Sequence, residues 1–290
     1  MKFLAGDILV AASDVPADVD LRNLHGPGRI LHFDSQFNLK RTLATQTDGL
    51  VIGLAVDPLS GDLFAADARA KTVVRFPASR PPAARILALP RHKFGTLAFK
   101  SDGQLFLGIH NTLGEEDSGN PNLLWCVQPA SGEIQSWPVD FDGGKLKFHR
   151  VSFLSLDRSG KRLLYASENG RRVLVFDLVT YSQREDFLRL AEDDPRGTFG
   201  LDHLPDGRLV MATGLGASVF SADGKELKRY PIDERRGWSR VKLSNDCQSF
   251  FVNNFLDGII ERRRIDDGEL IQRHDIGRKH SLCGIVEYPA

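Results

Sequence analysis

Four basic residues in this 290-residue chain share one recurring position. His92, His149, Arg196 and Arg236 each stand an equal distance ahead of a turn residue (Gly103, Gly160, Gly207 and Cys247), and Lys279-His280 precedes the last apolar segment. A rim of such cations would attract a carboxylate or phosphate, arginine through bidentate contacts and histidine with a proton to exchange near neutral pH. The three imidazoles of His92, His149 and His280 would instead suit a catalytic zinc with one open position, acidifying a bound water. The bland alternative is solvated loop charge, paired in part with Glu115, Glu116, Asp117, Asp67 and Glu168. Arg240, Asp67, Glu168, Asn253 and Asn254 are further candidates for ligand binding, although Asn and Asp in loops serve more often as turn residues. Phe94, Phe199, Trp238 and Phe255 fall near the same positions, where a substrate could stack on them or neighbouring strands could bury them.

The elements that must position these groups are strands. Residues 51–90 read as four short strands: an apolar run closed by Asp57-Pro58 and Ser60-Gly61, the segment 63–66, an alternating segment 72–76, and the segment 85–89. The same strand-turn-strand unit returns around Gly103, Gly160, Gly207 and Cys247, each time followed by two more strands, with a tight Asp-Gly turn in SADGKEL. These are five blades of a β-propeller. The ends supply a sixth: HSLCGIVEYPA reads as a first strand with nothing after it, and GDILVAAS, GRILHFD and FNLKRTLA as second, third and fourth strands with no first. The fold class is therefore all-β, a six-bladed propeller of four antiparallel strands per blade, closed by pairing the C-terminal strand with the N-terminal ones. The expected blades are 280–290 with 1–45, 46–91, 92–141, 148–192, 196–234 and 235–278.

Composition narrows the function classes. With 41% hydrophobic residues the chain can bury a full core, and 38 basic against 38 acidic residues give no overall field to draw in nucleic acid or an anionic membrane. Three dispersed cysteines, Cys126, Cys247 and Cys283, without a CxxC fit neither a disulfide framework nor a zinc knuckle, and suggest a reducing, cytoplasmic setting. The start MKFLAGDILVAAS looks like a short signal peptide, but Gly6-Asp7 interrupts its apolar run and the segment is assigned to the first blade. No GxSxG, Cys-His pairing or phosphate-binding glycine loop is evident. Arg262, Arg263 and Arg264 alternate faces on an outer strand, as a solvated edge would, and His25 belongs to a loop insertion.

The stretches LFAADARAKTVVRFPA, LLYASENGRRVLVFDL, LVMATGLGASVFSADGKEL and FFVNNFLDGIIERRRIDDGEL resemble the repeat of a six-bladed group. That group contains NHL-repeat proteins, gluconolactonase and senescence-marker-like proteins, paraoxonases and strictosidine synthases. The resemblance covers the whole chain and implies a ligand site at the channel mouth, where the first strands begin. It also implies a divalent cation, calcium or similar, held by Glu, Asp and Asn; here the first-strand entrances offer Asp48 and no Glu. Amidating lyases of six blades resemble the chain in placing one zinc-binding His per blade, with a local match only in the HSL at His280. The expected function is a small-molecule enzyme of hydrolase or lyase type, acting on an anionic or polar substrate at the channel mouth. The alternative is a non-catalytic NHL-like scaffold for a protein or ligand partner.

Overall fold

The computed structural model describes residues 2–16, 18–20, 23–79, 84–110, 122–142, 150–232 and 235–289. Six antiparallel sheets stand around a central channel, each with its first strand innermost. The inner strands are Val51–Val56, Phe94–Phe99, Phe153–Leu156, Leu201–His203, Trp238–Leu243 and Leu282–Glu287. Each touches the next around the ring, and the strand of blade 6 touches that of blade 1, which closes the circle.

Blade 1 is built from both ends of the chain. Leu282–Glu287 pairs with Ile8–Ser13, which pairs with Gly26–Phe33 and then Leu39–Gly49. Tyr288 extends the closure: its amide donates to the Asp7 carbonyl at 2.7 Å, and its hydroxyl to the Gly61 carbonyl in blade 2 at 2.8 Å. Inside the blade, Asp7 accepts from Lys40 Nζ at 2.8 Å and lies 2.5 Å from His32 Nε2, so a buried carboxylate is fully partnered.

The inner strands are mostly apolar because they lie between the channel and the neighbouring blades, with Asp202, Arg240 and Lys242 as charged exceptions that border the channel. Six clusters fill the six seams: Leu63, Val74 and Val286 between blades 1 and 2, Phe64 and Phe94 between 2 and 3, Phe106 and Tyr165 between 3 and 4, Leu164 and Met211 between 4 and 5, Trp238 and Phe250 between 5 and 6, and Phe33 and Phe251 between 6 and 1. The turn residues that mark the repeat, Gly61, Gly103, Gly160 and Gly207, have φ of +72°, +84°, +63° and +89°. That is the left-handed region where glycine is at ease, and Cys247 occupies it at +55° in blade 6. Arg262, Arg263 and Arg264 lie on the third strand of blade 6, paired with Ser249, Glu261 and Asp267 respectively.

Candidate functional site

Two registers of the ring meet at one end of the channel. On the inner strands Gly53, Thr96, Phe153, Gly200, Arg240 and Gly284 occupy equivalent places. The strands crowd there: a Cβ on Gly53 would lie 3.0 Å from the Gly95 carbonyl oxygen, on Gly200 2.8 Å from Arg240 Cα, and on Gly284 2.7 Å from the Ile52 carbonyl oxygen. The channel at this level holds the two large side chains of the layer. The Arg240 guanidinium lies 4.4 Å from the centre of the Phe153 ring, a cation–π contact, and its Nη2 donates to the Gly95 carbonyl at 3.0 Å. It thus spans the channel from blade 6 to blade 3. Arg240 and Phe153 border a cavity on either side, so together they divide the channel in two.

The second register lies at or just after the end of each second strand: Ser13, Ala68, His110, Glu168, Gly214 and Phe255. The backbone sets it, since the amides of Ala68, His110 and Phe255 donate to Leu50, Lys93 and Gly237, each just ahead of its own inner strand. Blades 3 and 4 place titratable side chains here, and His110 Nε2 lies 3.5 Å from Glu168 Oε2. Burial, with Arg240, Lys93 and Arg69 nearby, pushes the His110 imidazole down to about 3, so it is neutral at physiological pH. Burial pushes the Glu168 carboxyl up to about 7 against the pull of Arg240. The same burial lowers Arg240 to about 10, still a cation, and raises the Cys283 thiol beside it to about 12, which rules out a resting thiolate.

These groups share a cavity of about 290 Å³. Leu24, Leu50 and Ile52, with Phe255 packed against their cluster, line it together with Phe199 and Leu256, and Arg69 and Arg236 also border it. Glu168 keeps 28% of its side chain open to this space. The cavity at the opposite mouth, about 450 Å³, is bordered by charges held in pairs: Lys242 Nζ lies 2.9 Å from Asp202 and Lys100 Nζ 2.8 Å from Asp102. Arg240 borders this cavity as well, but neither Glu168 nor His110 is among its described lining residues.

Of the residues singled out from the sequence, Arg236, Arg240 and Glu168 come together at this cavity, and Phe199 and Phe255 line it. Phe94 and Trp238 are fully buried between blades. Arg196 shares the register of Arg236 but does not join it. Its guanidinium turns along blade 5 to Asp194 at 2.7 Å, Glu226 at 2.5 Å and Ser218 at 3.1 Å, an ion-pair network that holds the side chain away from the mouth. Asp67, Asn253 and Asn254 hold backbone: Asp67 Oδ1 accepts from the amides of Leu50 and Ala70, Asn253 Nδ2 donates to the Cys283 carbonyl, and Asn254 Oδ1 accepts from Leu256 and Asp257. His92 packs on Trp125 with ring centroids 4.9 Å apart, and His280 lies beside Phe255 at 5.9 Å. His149, Asn111, Glu115, Glu116 and Asp117 lie outside the described residues. His110 and Cys283 were not singled out as site residues. The signal for His110 was available, because it holds the same register as Glu168 in the adjacent blade.

Among the described residues the cavity lining offers one carboxyl, Glu168, beside the Arg240 guanidinium, and no three His, Cys, Asp or Glu side chains form a metal-ligand cluster.

No family model and no curated protein sequence matches the chain. Among solved structures it is similar to a chain of a nidogen/laminin complex at TM-score 0.68 and 12% identity, covering 97% of both chains. It is similar to a gluconolactonase from Xanthomonas campestris at TM-score 0.60 and 17% identity, covering 81% of this chain and 77% of that one. It also resembles the WD40 repeats of RRP9 at TM-score 0.56 and 18% identity, covering 78% of this chain and 63% of that one. At these identities the likeness establishes the architecture, a six-bladed β-propeller, and leaves chemistry to the site itself.

Proposed function

We propose that the protein is a small-molecule enzyme of hydrolase or lyase type whose anionic or polar substrate sits in the channel-mouth cavity, with Glu168 as the proton-transfer group. The observation that supports this reading most is the pairing of Glu168, a carboxyl raised to about 7, with the neutral His110 imidazole at 3.5 Å, beside the Arg240 cation. A group whose pKa lies near the working pH is present in both protonation states and can take or return a proton with little penalty. Glu168 would draw a proton from an attacking water in hydrolysis, or from a carbon next to a carbonyl in elimination. Arg240 would hold the negative charge that develops on the substrate oxygen, and His110 Nε2 would fix the orientation of the Glu168 carboxyl. Cys283, held as a thiol, has no role as nucleophile in this scheme.

The test is turnover. Lactones are the first class to screen, because a propeller of similar fold is named a gluconolactonase. Replacement of Glu168→Gln keeps the size of the side chain and removes its proton chemistry, so kcat should fall by roughly 100-fold or more while KM changes little. Unchanged kcat in this variant would remove Glu168 from the chemistry, and a protein that turns over no lactone or ester would favour the scaffold alternative.

A further inference from the structure

Arg240 is in an unusual electrostatic position. It lies deep in the ring, its Nη2 donates to the Gly95 carbonyl, its face covers Phe153, and among the described residues it has no ion pair. A guanidinium has five N–H donors in a rigid fork; the Gly95 carbonyl takes one on Nη2, and Arg240 borders the cavity that holds Glu168. Glu168, the nearest carboxyl acting on it, does not cancel the charge, because burial holds that carboxyl near neutrality. A cation enclosed this way is costly to keep without a partner, and the open side of the cavity is where a partner can enter. The walls above it are of the opposite character. Leu50, Ile52, Phe199 and Phe255 line a space of about 290 Å³, with Phe255 packed against the cluster of Leu50 and Ile52, room for one ring or a short alkyl chain.

Building on the proposed use of this cavity, in which ester or lactone hydrolysis leaves a carboxylate at Arg240, we infer that its occupant is an amphipathic monocarboxylate, with the carboxylate on the Arg240 guanidinium and the apolar body against Leu50, Ile52, Phe199 and Phe255. A single guanidinium matches the planar, two-oxygen geometry of a carboxylate bidentately. A phosphate dianion would press its second charge against the ionised form of Glu168. The protonated form of Glu168 can donate to the second side of a bound carboxylate, so binding should draw a proton onto the protein and weaken as the pH rises through about 7.

Titration calorimetry on the full-length protein tests this with four probes: 4-phenylbutyrate, 4-phenylbutyramide, acetate and phenyl phosphate. The inference predicts that 4-phenylbutyrate binds at least about tenfold more tightly than the amide, which lacks the charge, and than acetate, which lacks the apolar body. Arg240→Gln should bring acid and amide to equal affinity, whereas Phe255→Ala should weaken both together. The wild-type comparison of acid with amide needs no variant, so it stands even if Arg240→Gln does not fold. Equal binding of acid and amide, equal binding of acetate, tighter binding of phenyl phosphate, or no binding of the acid would each overturn the inference. Binding of the acid by a protein without turnover would keep the ligand class and remove the enzyme reading. Loss of turnover in Glu168→Gln without any preference for the acid would do the reverse.

Discussion

Glu168 and His110 are displaced in pKa in opposite senses by the same burial, and this makes them separable by experiment. Glu168 holds its proton up to about 7 in the folded chain but releases it near 4.5 when unfolded, so its contribution to stability declines as pH rises from about 4.5 through 7. His110 refuses a proton until about 3 when folded but takes one near 6.5 when unfolded, so its contribution declines as pH falls from about 6.5 to 3. Between about 4.5 and 6.5 the two slopes oppose each other. Relative to wild type, the melting temperature of Glu168→Gln should therefore climb with pH across 4.5 to 7, and that of His110→Asn should climb as the solution is acidified below 6.5. Thermal melts from pH 4 to 8 decide this, and variant curves running parallel to wild type would show that the pair is not shifted. The sequence exposed this site unevenly. Arg240 and Glu168 were legible as polar groups on the ligand face; His110 shares the register of Glu168 but follows Ile109, where blades 2, 4, 5 and 6 carry the polar residues Asp67, Ser167, Thr213 and Asn254, so the repeat is less plain there. Arg196 shows the converse: counting gives the position of a loop residue along the chain, whereas the direction of its side chain is set by Asp194 and Glu226, partners that no count reveals.

At the scale of elements, strands and blade closure were readable because they rest on apolar patterning and on turn residues with left-handed backbone, both local in sequence. The most consequential element is Leu282–Glu287, which supplies blade 1 with its inner strand and touches the inner strands of blades 2 and 6. Leu282 is fully buried, and Ile285 and Val286 nearly so, in the seams of blade 1 with its two neighbours. Removing residues 280–290 exposes the partners of these side chains and of Tyr288, a loss of roughly 6 to 12 kcal/mol of burial, comparable with the whole stability of a domain at about 5 to 15 kcal/mol. The truncated chain should show no cooperative unfolding transition by circular dichroism. A melt near the full-length temperature would contradict the closure described here. What patterning could not supply is the layer at Gly53, Gly200 and Gly284, since the need for glycine there arises from the approach of one inner strand to the next across the ring.

The whole molecule carries no net charge, so attraction of an anion must come from local arrangement rather than from the field of the protein as a whole. The ring provides that arrangement by dividing its channel with Arg240 and Phe153, which border both cavities, leaving paired surface charges at one mouth and Glu168, His110 and apolar walls at the other. The central claim is that this second mouth is where the protein does its work. Diffraction from crystals grown with 4-bromobenzoate tests it most directly, because the anomalous signal of bromine marks the position of the ligand without reference to activity. The account predicts a bromine peak in the cavity lined by Leu50, Phe199 and Phe255 with the carboxylate about 3 Å from the Arg240 guanidinium. A peak at the opposite mouth beside Asp202 and Lys242, or none inside the ring, would contradict it.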